Sequence, residues 1–408
     1  MKTIKKSFCF LLCICMMLSI CGCGNDVSGT TKDTLTVAVR SGIYADVIKK
    51  CLPGFETKYG IAVEVIEYSE DELHNFLLND SVNKNGSIDL CMIDGSWVAE
   101  FMSGGMLTDL SNLGYSFDDD IISETTSICV SGGDIYIVPY YGNVSVMMFN
   151  KNIASELGYG ENDFDSLEDV IKYTLLAEEK GYGGFACRCD SENNTVVDFL
   201  PVLRCYGGWV VDGNNSPTVN TEEFREAFSR YLFLIDSGRT ASKEDIISGL
   251  ESGEVSVAIG WPGWCSLETD KNIDYIPFPG KISDDDPIFD SNIYGIWTLG
   301  IPDNCTDKES AIKLLEYLMD EDVQKESVYY GGIPCRYSIL NDPEMLEINP
   351  HLNDICDALE TGIYRPVTDK WPSFYTILGS KMRSVINGDM NIDDGLLLAQ
   401  SELEKLMK

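Results

Sequence analysis

"LTVAVR" (residues 35–40), "YADVIKKCLPGFETKYG" (44–60) and "IAVEVIEY" (61–68) form the stretch whose reading decides the fold. The first piece alternates apolar and polar residues and predicts a strand. In the second, Val47, Ile48, Cys51, Leu52 and Phe55 recur at helical spacing, and Gly60 supplies a stop. The third predicts another strand. A polar helix around "SEDELHNFLLND" (69–80) then leads into "SIDLCMID" (87–94), a third strand. The order β-α-β-α-β implies a parallel sheet with helices on its faces. Such sheets take ligands beyond the carboxyl ends of their strands, which here points to Asp94, Gly95, Ser96 and Trp97.

The 408-residue chain is too long for one simple core, and two lobes are expected. Its start reads as a leader. "MKTIKK" is basic, "FCFLLCICMMLSI" (8–20) is apolar but too short to span a bilayer, and "ICGC" (20–23) follows. The cut-site pattern resembles a bacterial lipobox, with Gly22 before Cys23. That resemblance implies cleavage before Cys23, a diacylglyceryl thioether on its sulfur and an acylated amino terminus. Residues 1–22 are then a signal peptide, and 23–33 ("CGNDVSGTTKD") a lipid-proximal linker.

Removing residues 1–22 takes away three lysines and no acid, leaving 27 basic against 66 acidic residues and a charge of −39. Such a chain does not bind nucleic acid by neutralising phosphates. It is repelled by an anionic membrane surface, so the lipid must do the anchoring. Of the 15 cysteines, five lie in the first 23 residues and ten are scattered, with no CxxC pair. "CRC" at 187–189 offers two thiolates, but a structural zinc site needs four ligands and the chain has only His74 and His351. The acidic run Asp284-Asp285-Asp286 lacks calcium-loop spacing. No metal and no cofactor are expected. There is no G-x-S-x-G, H-E-x-x-H or P-loop, and no catalytic residue is assigned.

Further along, "GGDIYIVPYYGNVSVMMFNKN" (132–152) reads as two strands joined through "PYYGN". Helices follow at "DSLEDVIKYTLLAEEKGYG", with Ser166 and Asp169 as cap pair and Gly181 as stop, and at "NTEEFREAFSRYLFLIDSG", with Asn220 as cap and Gly238 as stop. "VSVAIG", "IDYIPFPG" and "NIYGIWTLGIP" predict strands. "TDKESAIKLLEYLMDEDVQK" predicts a helix with a Thr306/Glu309 capping box.

In order and spacing these segments resemble the extracellular solute-binding proteins of ABC importers, in the sugar-binding branch that includes maltose- and trehalose-binding proteins. Four blocks carry the resemblance: "DIYIVPYYGNVSVMMFNKNI", "LESGEVSVAIGWPGW", "IYGIWTLGIPDNCTDKESAIKLLEYLMDEDVQ", and "GGIPCRYSILND" with "RPVTDKWPSFYTIL". It implies an α/β, two-lobed periplasmic-binding-protein-like fold of type II, whose lobes are joined by crossing hinge strands around a ligand cleft. Mapped here, the crossings fall near residues 144–148, 291–294 and 347–353. Lobe one is then 34–146 with 292–347, and lobe two 147–291 with 348–408.

Sugar recognition needs flat aromatic faces against the C–H patches of a pyranose and directional groups for its hydroxyls. Trp261, which follows a strand in "GWPGW", is the expected ligand platform, with Trp264 beside it either sharing that role or bracing the turn. Trp97, Trp297 and Trp371 are further candidates, each with core packing as the alternative, and Trp209 reads as structural. Asp94 is a candidate hydroxyl ligand or a helix cap. Tyr140 and Tyr141 precede the first expected crossing, so at least one is a candidate ligand contact while the other packs; Asn143 is a candidate hydroxyl ligand or a turn residue, and Tyr294, at the second crossing, is a further candidate. Arg336, in "GGIPCRYS", matches a family arginine position and is a candidate ligand contact. The function implied is a membrane-anchored monomer that captures a carbohydrate and delivers it to an ABC permease on the extracytoplasmic face. The rivals are the same fold holding a polyamine or other solute, a secreted glycoside hydrolase, and a sensor or adhesin.

Overall fold

A computed structural model describes residues 33–265 and 272–408. The expected signal peptide and the Cys23 lipidation site lie outside the described residues. The opening unit forms as β1 (Thr34–Arg40), α1 (Ile43–Tyr59), β2 (Ala62–Tyr68), α2 (Glu70–Ser81) and β3 (Leu90–Asp94). The α1 stripe read from the sequence is its buried face: Val47, Ile48, Cys51, Leu52 and Phe55 all point into the core. β1 pairs in parallel with both β2 and β3.

The stretch around "PYYGN" gives β4 (Ile137–Tyr141) and β5 (Val146–Asn150), which lie in different sheets. Next come α3 (Leu167–Glu179), β6 (Phe185–Cys187), α4 (Glu192–Cys205), α5 (Glu222–Asp236), β7 (Gly238–Thr240), α6 (Lys243–Ser252), β8 (Val257–Gly260) and β9 (Ile273–Pro277). The chain closes with β10 (Trp297–Gly300), α7 (Lys308–Leu318), α8 (Glu321–Val328), α9 (Leu352–Glu360), α10 (Trp371–Ile386) and α11 (Ile392–Leu406). The first sheet has the order β2-β1-β3-β10-β4 and the second β9-β5-β8-β6-β7. Two apolar clusters form, the first of which continues from the first sheet onto one face of the second through Val146, Met148, Ala186 and Ala258. The first gathers α1, α7 and α9, and the second α3, α4, α5, α10 and α11.

Three helix and strand boundaries differ from the sequence reading. Asp307, not Thr306, caps α7, its carboxylate accepting from the Ser310 amide at 3.1 Å. Thr221, not Asn220, caps α5, while Asn220 accepts from Arg225. Gly238 does not stop α5 in a left-handed turn. It lies in β7, where a Cβ would meet the Phe185 carbonyl oxygen at 1.9 Å, so glycine serves close strand approach.

The sheets are joined at a narrow waist. The Ser145 amide donates to the Ile293 carbonyl at 2.8 Å, Val144 and Tyr294 form an antiparallel bridge, and Ile293 bridges Ile363 in parallel. The expected third crossing at residues 347–353 is helical instead: a short helix ends at Ile348 and α9 begins at Leu352. Leu352, Ile355, Cys356 and Leu359 sit at helical spacing and are buried in the first core. The third segment at the waist is Ile363, whose amide donates to the Asn292 carbonyl at 2.9 Å.

Candidate functional site

Strand direction concentrates functional groups at one edge of each sheet. β1 and β3 end there at Arg40 and Asp94. β10 runs the opposite way, so its first residue, Trp297, pairs with Asp94 on one side and Tyr141 on the other. In the second sheet β8 ends at Gly260, paired with Val146 at the start of β5, and Trp261 follows directly. The two edges face one another across the waist and enclose a cleft of about 160 Å³.

Asp94, Asn143, Trp261, Trp264 and Trp297 line this cleft. Asp94 is 4% exposed and heavily committed: its Oδ1 accepts from the Ser96 amide and hydroxyl and from Arg365 at 2.6 Å. It therefore serves as a local turn acceptor and as one half of a buried ion pair. Asn143 stitches the walls together. Its Oδ1 accepts from the Gly263 amide at 3.3 Å, its Nδ2 donates to the Tyr44 hydroxyl at 3.4 Å, and its carbonyl accepts from the Gly295 amide at 2.9 Å.

The "WPGW" turn is a single 3-10 turn over Pro262–Trp264, closed by the Trp264 amide donating to the Trp261 carbonyl. Trp261 lies against the waist: a Cβ on Gly295 would fall 2.5 Å from its Cζ3. Trp264 is half-buried, and the Arg188 guanidinium stands 4.8 Å from its ring centre. On the facing wall Trp297 packs with Tyr44 at 5.5 Å between ring centres.

The remaining sequence candidates lie elsewhere. Trp97 packs edge-on behind Trp297 and beside His74, within the first core. Tyr140 is buried in that core, and Tyr141 supports Tyr44 while its hydroxyl donates to the Gly331 carbonyl. Tyr294 is buried at the waist, its hydroxyl bonded to the Leu359 carbonyl. Arg336 is 4% exposed and fully engaged inside its own lobe, donating to Gln324, Asp118 and the Met319 carbonyl at 2.7–2.8 Å. Trp371 opens α10 fully buried in the second core, stacked on Phe374.

Sequence reasoning missed a second set of cleft residues: Arg40, Tyr44, Glu70, Arg188, Lys243 and Arg365, with Asn193 and Asn194. The rule that singled out Asp94 also finds most of these. Arg40 ends β1, Glu70 follows β2, Arg188 follows β6, and Lys243 comes three residues after β7. Arg188 is held by Asp198 through the Nε–Nη2 edge of its guanidinium and through its own backbone amide. Burial works against the Arg188 charge, but Asp198 outweighs it and raises the guanidinium above its ordinary value. Burial, and then Asp94, push the Glu70 carboxyl up, against the pull of Arg365, Arg40 and Arg188. Burial also holds the Lys243 ammonium below its ordinary value, and the like charges of Arg40 and Arg188 act in the same direction. Among the described residues no group of histidine, cysteine, aspartate and glutamate is arranged to hold a metal.

The arrangement presents aromatic faces and hydrogen-bonding groups to a small polar molecule, and its walls belong to two bodies joined at a waist. A model of the bacterial extracellular solute-binding proteins matches residues 35–325. A probable amino-acid ABC transporter periplasmic-binding protein of Sinorhizobium fredii is 22% identical over 341 residues, covering 77% of this chain and 76% of its own. A maltotriose-binding protein of Pyrococcus abyssi is 20% identical over 355 residues, covering 84% and 75%. The maltose-bound MalE3 of T. maritima superposes with a TM-score of 0.80 at 21% identity, over 91% of this chain and 99% of that one, which shows the shared two-lobed fold. With the family match spanning most of its length, the chain belongs to the bacterial extracellular solute-binding proteins.

Proposed function

We propose that the protein captures a carbohydrate in the cleft between its two sheets and delivers it to an ABC permease. The observation that carries this reading is the meeting of Trp261, Trp264 and Trp297 with Asp94, Asn143, Asn193 and Asn194 in one cleft. Indole faces suit the C–H patches of a pyranose, and short amide and carboxylate side chains suit its hydroxyls. Asn193 adds a buried Oδ1 with no partner among the described residues. Maltose and maltotriose in the names of two similar proteins agree with this reading, whereas the amino-acid assignment of the third names a different solute. A polyamine fits poorly, because four cationic side chains and only two acidic ones line the walls.

Binding would draw the lobes together about the paired segments at residues 143–145, 292–295 and 363. The closed form of a monomer would then dock on the permease. Cys23 would carry the lipid that keeps the protein on the extracytoplasmic face of the membrane. The task requires no chemistry on the solute.

A thermal-shift and calorimetric screen of the purified full chain against mono-, di- and oligosaccharides and polyamines tests the proposal, since a ligand of the native state raises the melting temperature. Shifts with sugars that are recovered unaltered are expected. Shifts with polyamines alone, or hydrolysis of the bound sugar, would overturn it.

A further inference from the structure

The chain carries 66 acidic against 30 basic residues, yet its cleft reverses that balance. Arg40, Arg188, Lys243 and Arg365 face the cavity against Glu70 and Asp94. Two of the cations are neutralised in place: Arg365 by Asp94 at 2.6 Å, and Arg188 by Asp198 from behind. The other two are not. Among the described residues, neither Arg40 nor Lys243 has a carboxylate within 4.0 Å; Arg40 bonds to the Ser41 hydroxyl at 2.8 Å. Two half-buried cations with no carboxylate in reach leave positive charge in the cleft for a ligand to use.

Backbone dipoles act in the same sense. α1 begins at Gly42 with no side-chain cap, and Ser41, Gly42, Ile43 and Tyr44 line the cleft. The first-turn amides of this 17-residue helix therefore face the cavity without a capping oxygen. On the opposite wall α6 and α4 are capped by the Ser242 and Ser191 hydroxyls, and their first turns contribute side chains instead: Lys243 from α6, and Asn193 and Asn194 from α4. Both sheets thus present cationic side chains to one small volume, and the first adds an uncapped helix end.

Resting on the carbohydrate reading above, we propose that the solute bears an anionic oxygen group, a carboxylate or a phosphate, which Lys243 and Arg40 bind from opposite lobes while the indoles cover its sugar ring. The anion would supply the counter-charge that the protein withholds. Because Arg40 ends a strand of the first sheet and Lys243 opens a helix of the second, the same group would bridge the lobes and favour their closure. Glu70 remains free to accept from a hydroxyl.

The test is calorimetric titration of the purified full chain with matched sugars: glucose, glucuronate and glucose 6-phosphate; galactose and galacturonate; and a neutral disaccharide. Glutamate and citrate are added as anions without a sugar ring. At least one acidic sugar is expected to bind tenfold or more tightly than its neutral partner, and to weaken as salt rises from 0.02 to 0.5 M. The uronate and phosphate arms tell the two anionic groups apart. Lys243→Gln, checked for an unchanged melting temperature, is expected to cost the acidic sugar at least fivefold more affinity than the neutral one. Neutral sugars binding as tightly as acidic ones, or an equal loss for both in Lys243→Gln, would overturn the inference and leave the carbohydrate reading standing. Binding of glutamate or citrate with no sugar would support the anion site and overturn the carbohydrate reading. No binding in any arm would overturn both.

Discussion

Trp261 and Arg336 illustrate how alike two residues can look in a sequence and how differently they sit. Trp261 is 5% exposed but forms part of the cleft wall, so Trp261→Ala removes the flat face offered to a sugar. Truncating such an anchor costs about 2 kcal/mol or more of binding, an affinity loss of roughly thirtyfold that calorimetry on the folded fraction reads directly. Arg336 is equally buried, but its three hydrogen-bond partners, and Asp120 at 3.5 Å, all belong to the first lobe. Arg336→Ala is expected to lower stability by on the order of 3 kcal/mol in denaturant titration while leaving the dissociation constant unchanged. Its pH dependence has a definite sign. The Arg336 bond holds the Asp118 carboxyl below its ordinary value, so that contribution is present above about pH 4 and fades as pH falls through the lowered value. The gap between wild type and Arg336→Ala should narrow in acid without closing, because the bonds to Gln324 and the Met319 carbonyl do not titrate. Sequence spacing cannot separate these two residues: each follows a short apolar run beside glycine and proline. Only the partner lists distinguish a wall from a brace.

Elements were more legible than side chains, because periodicity reports which face is buried. The α1 stripe and the three opening strands follow from it directly. The third crossing did not, since Leu352, Ile355, Cys356 and Leu359 make a helical stripe that a family-based expectation overrode. Nor could periodicity show that "PYYGN" carries the chain from one sheet to the other, because a hairpin and a crossing both read as two strands around a turn. The cationic cleft residues were missed for a related reason. Arg40, Arg188 and Lys243 sit where strand-end logic points, but charged residues are common at strand ends on any surface, so position alone does not mark them. At this scale the waist and the aromatic wall are mechanically linked through Gly295, where a Cβ would fall 2.5 Å from the Trp261 ring. Gly295→Ala should therefore displace Trp261, shift its fluorescence, weaken ligand binding and cost about 1–3 kcal/mol of stability. Gly160→Ala is the control. Its Cβ would meet only the Asp163 carboxylate at 3.7 Å, and neither property should move.

For the whole molecule the governing quantity is charge. With 66 acidic and 30 basic residues, the surface repels itself in the compact state, and it also repels an anionic membrane. Most visible ion pairs offset little of this, since pairs such as Arg225–Asp393 and Lys308–Asp303 lie at the exposed rim. Added salt should therefore act in opposite directions on stability and on binding. Between 0.01 and 0.2 M sodium chloride the screening length shortens from about 30 Å to below 10 Å, which is shorter than the spacing across the molecule. Repulsion among distant carboxylates is then lost, and the melting temperature of the unliganded protein should rise. Attraction within the cleft acts over a few ångströms between partly buried groups, so it is screened less but weakened in the opposite sense. An anionic sugar held by Lys243 and Arg40 should bind more weakly at the higher salt, while a neutral sugar held by the indoles should be nearly indifferent. Differential scanning calorimetry and titration across the same salt series separate the two effects. A melting temperature that falls with salt would show that local ion pairs, not long-range repulsion, dominate the stability of this acidic chain.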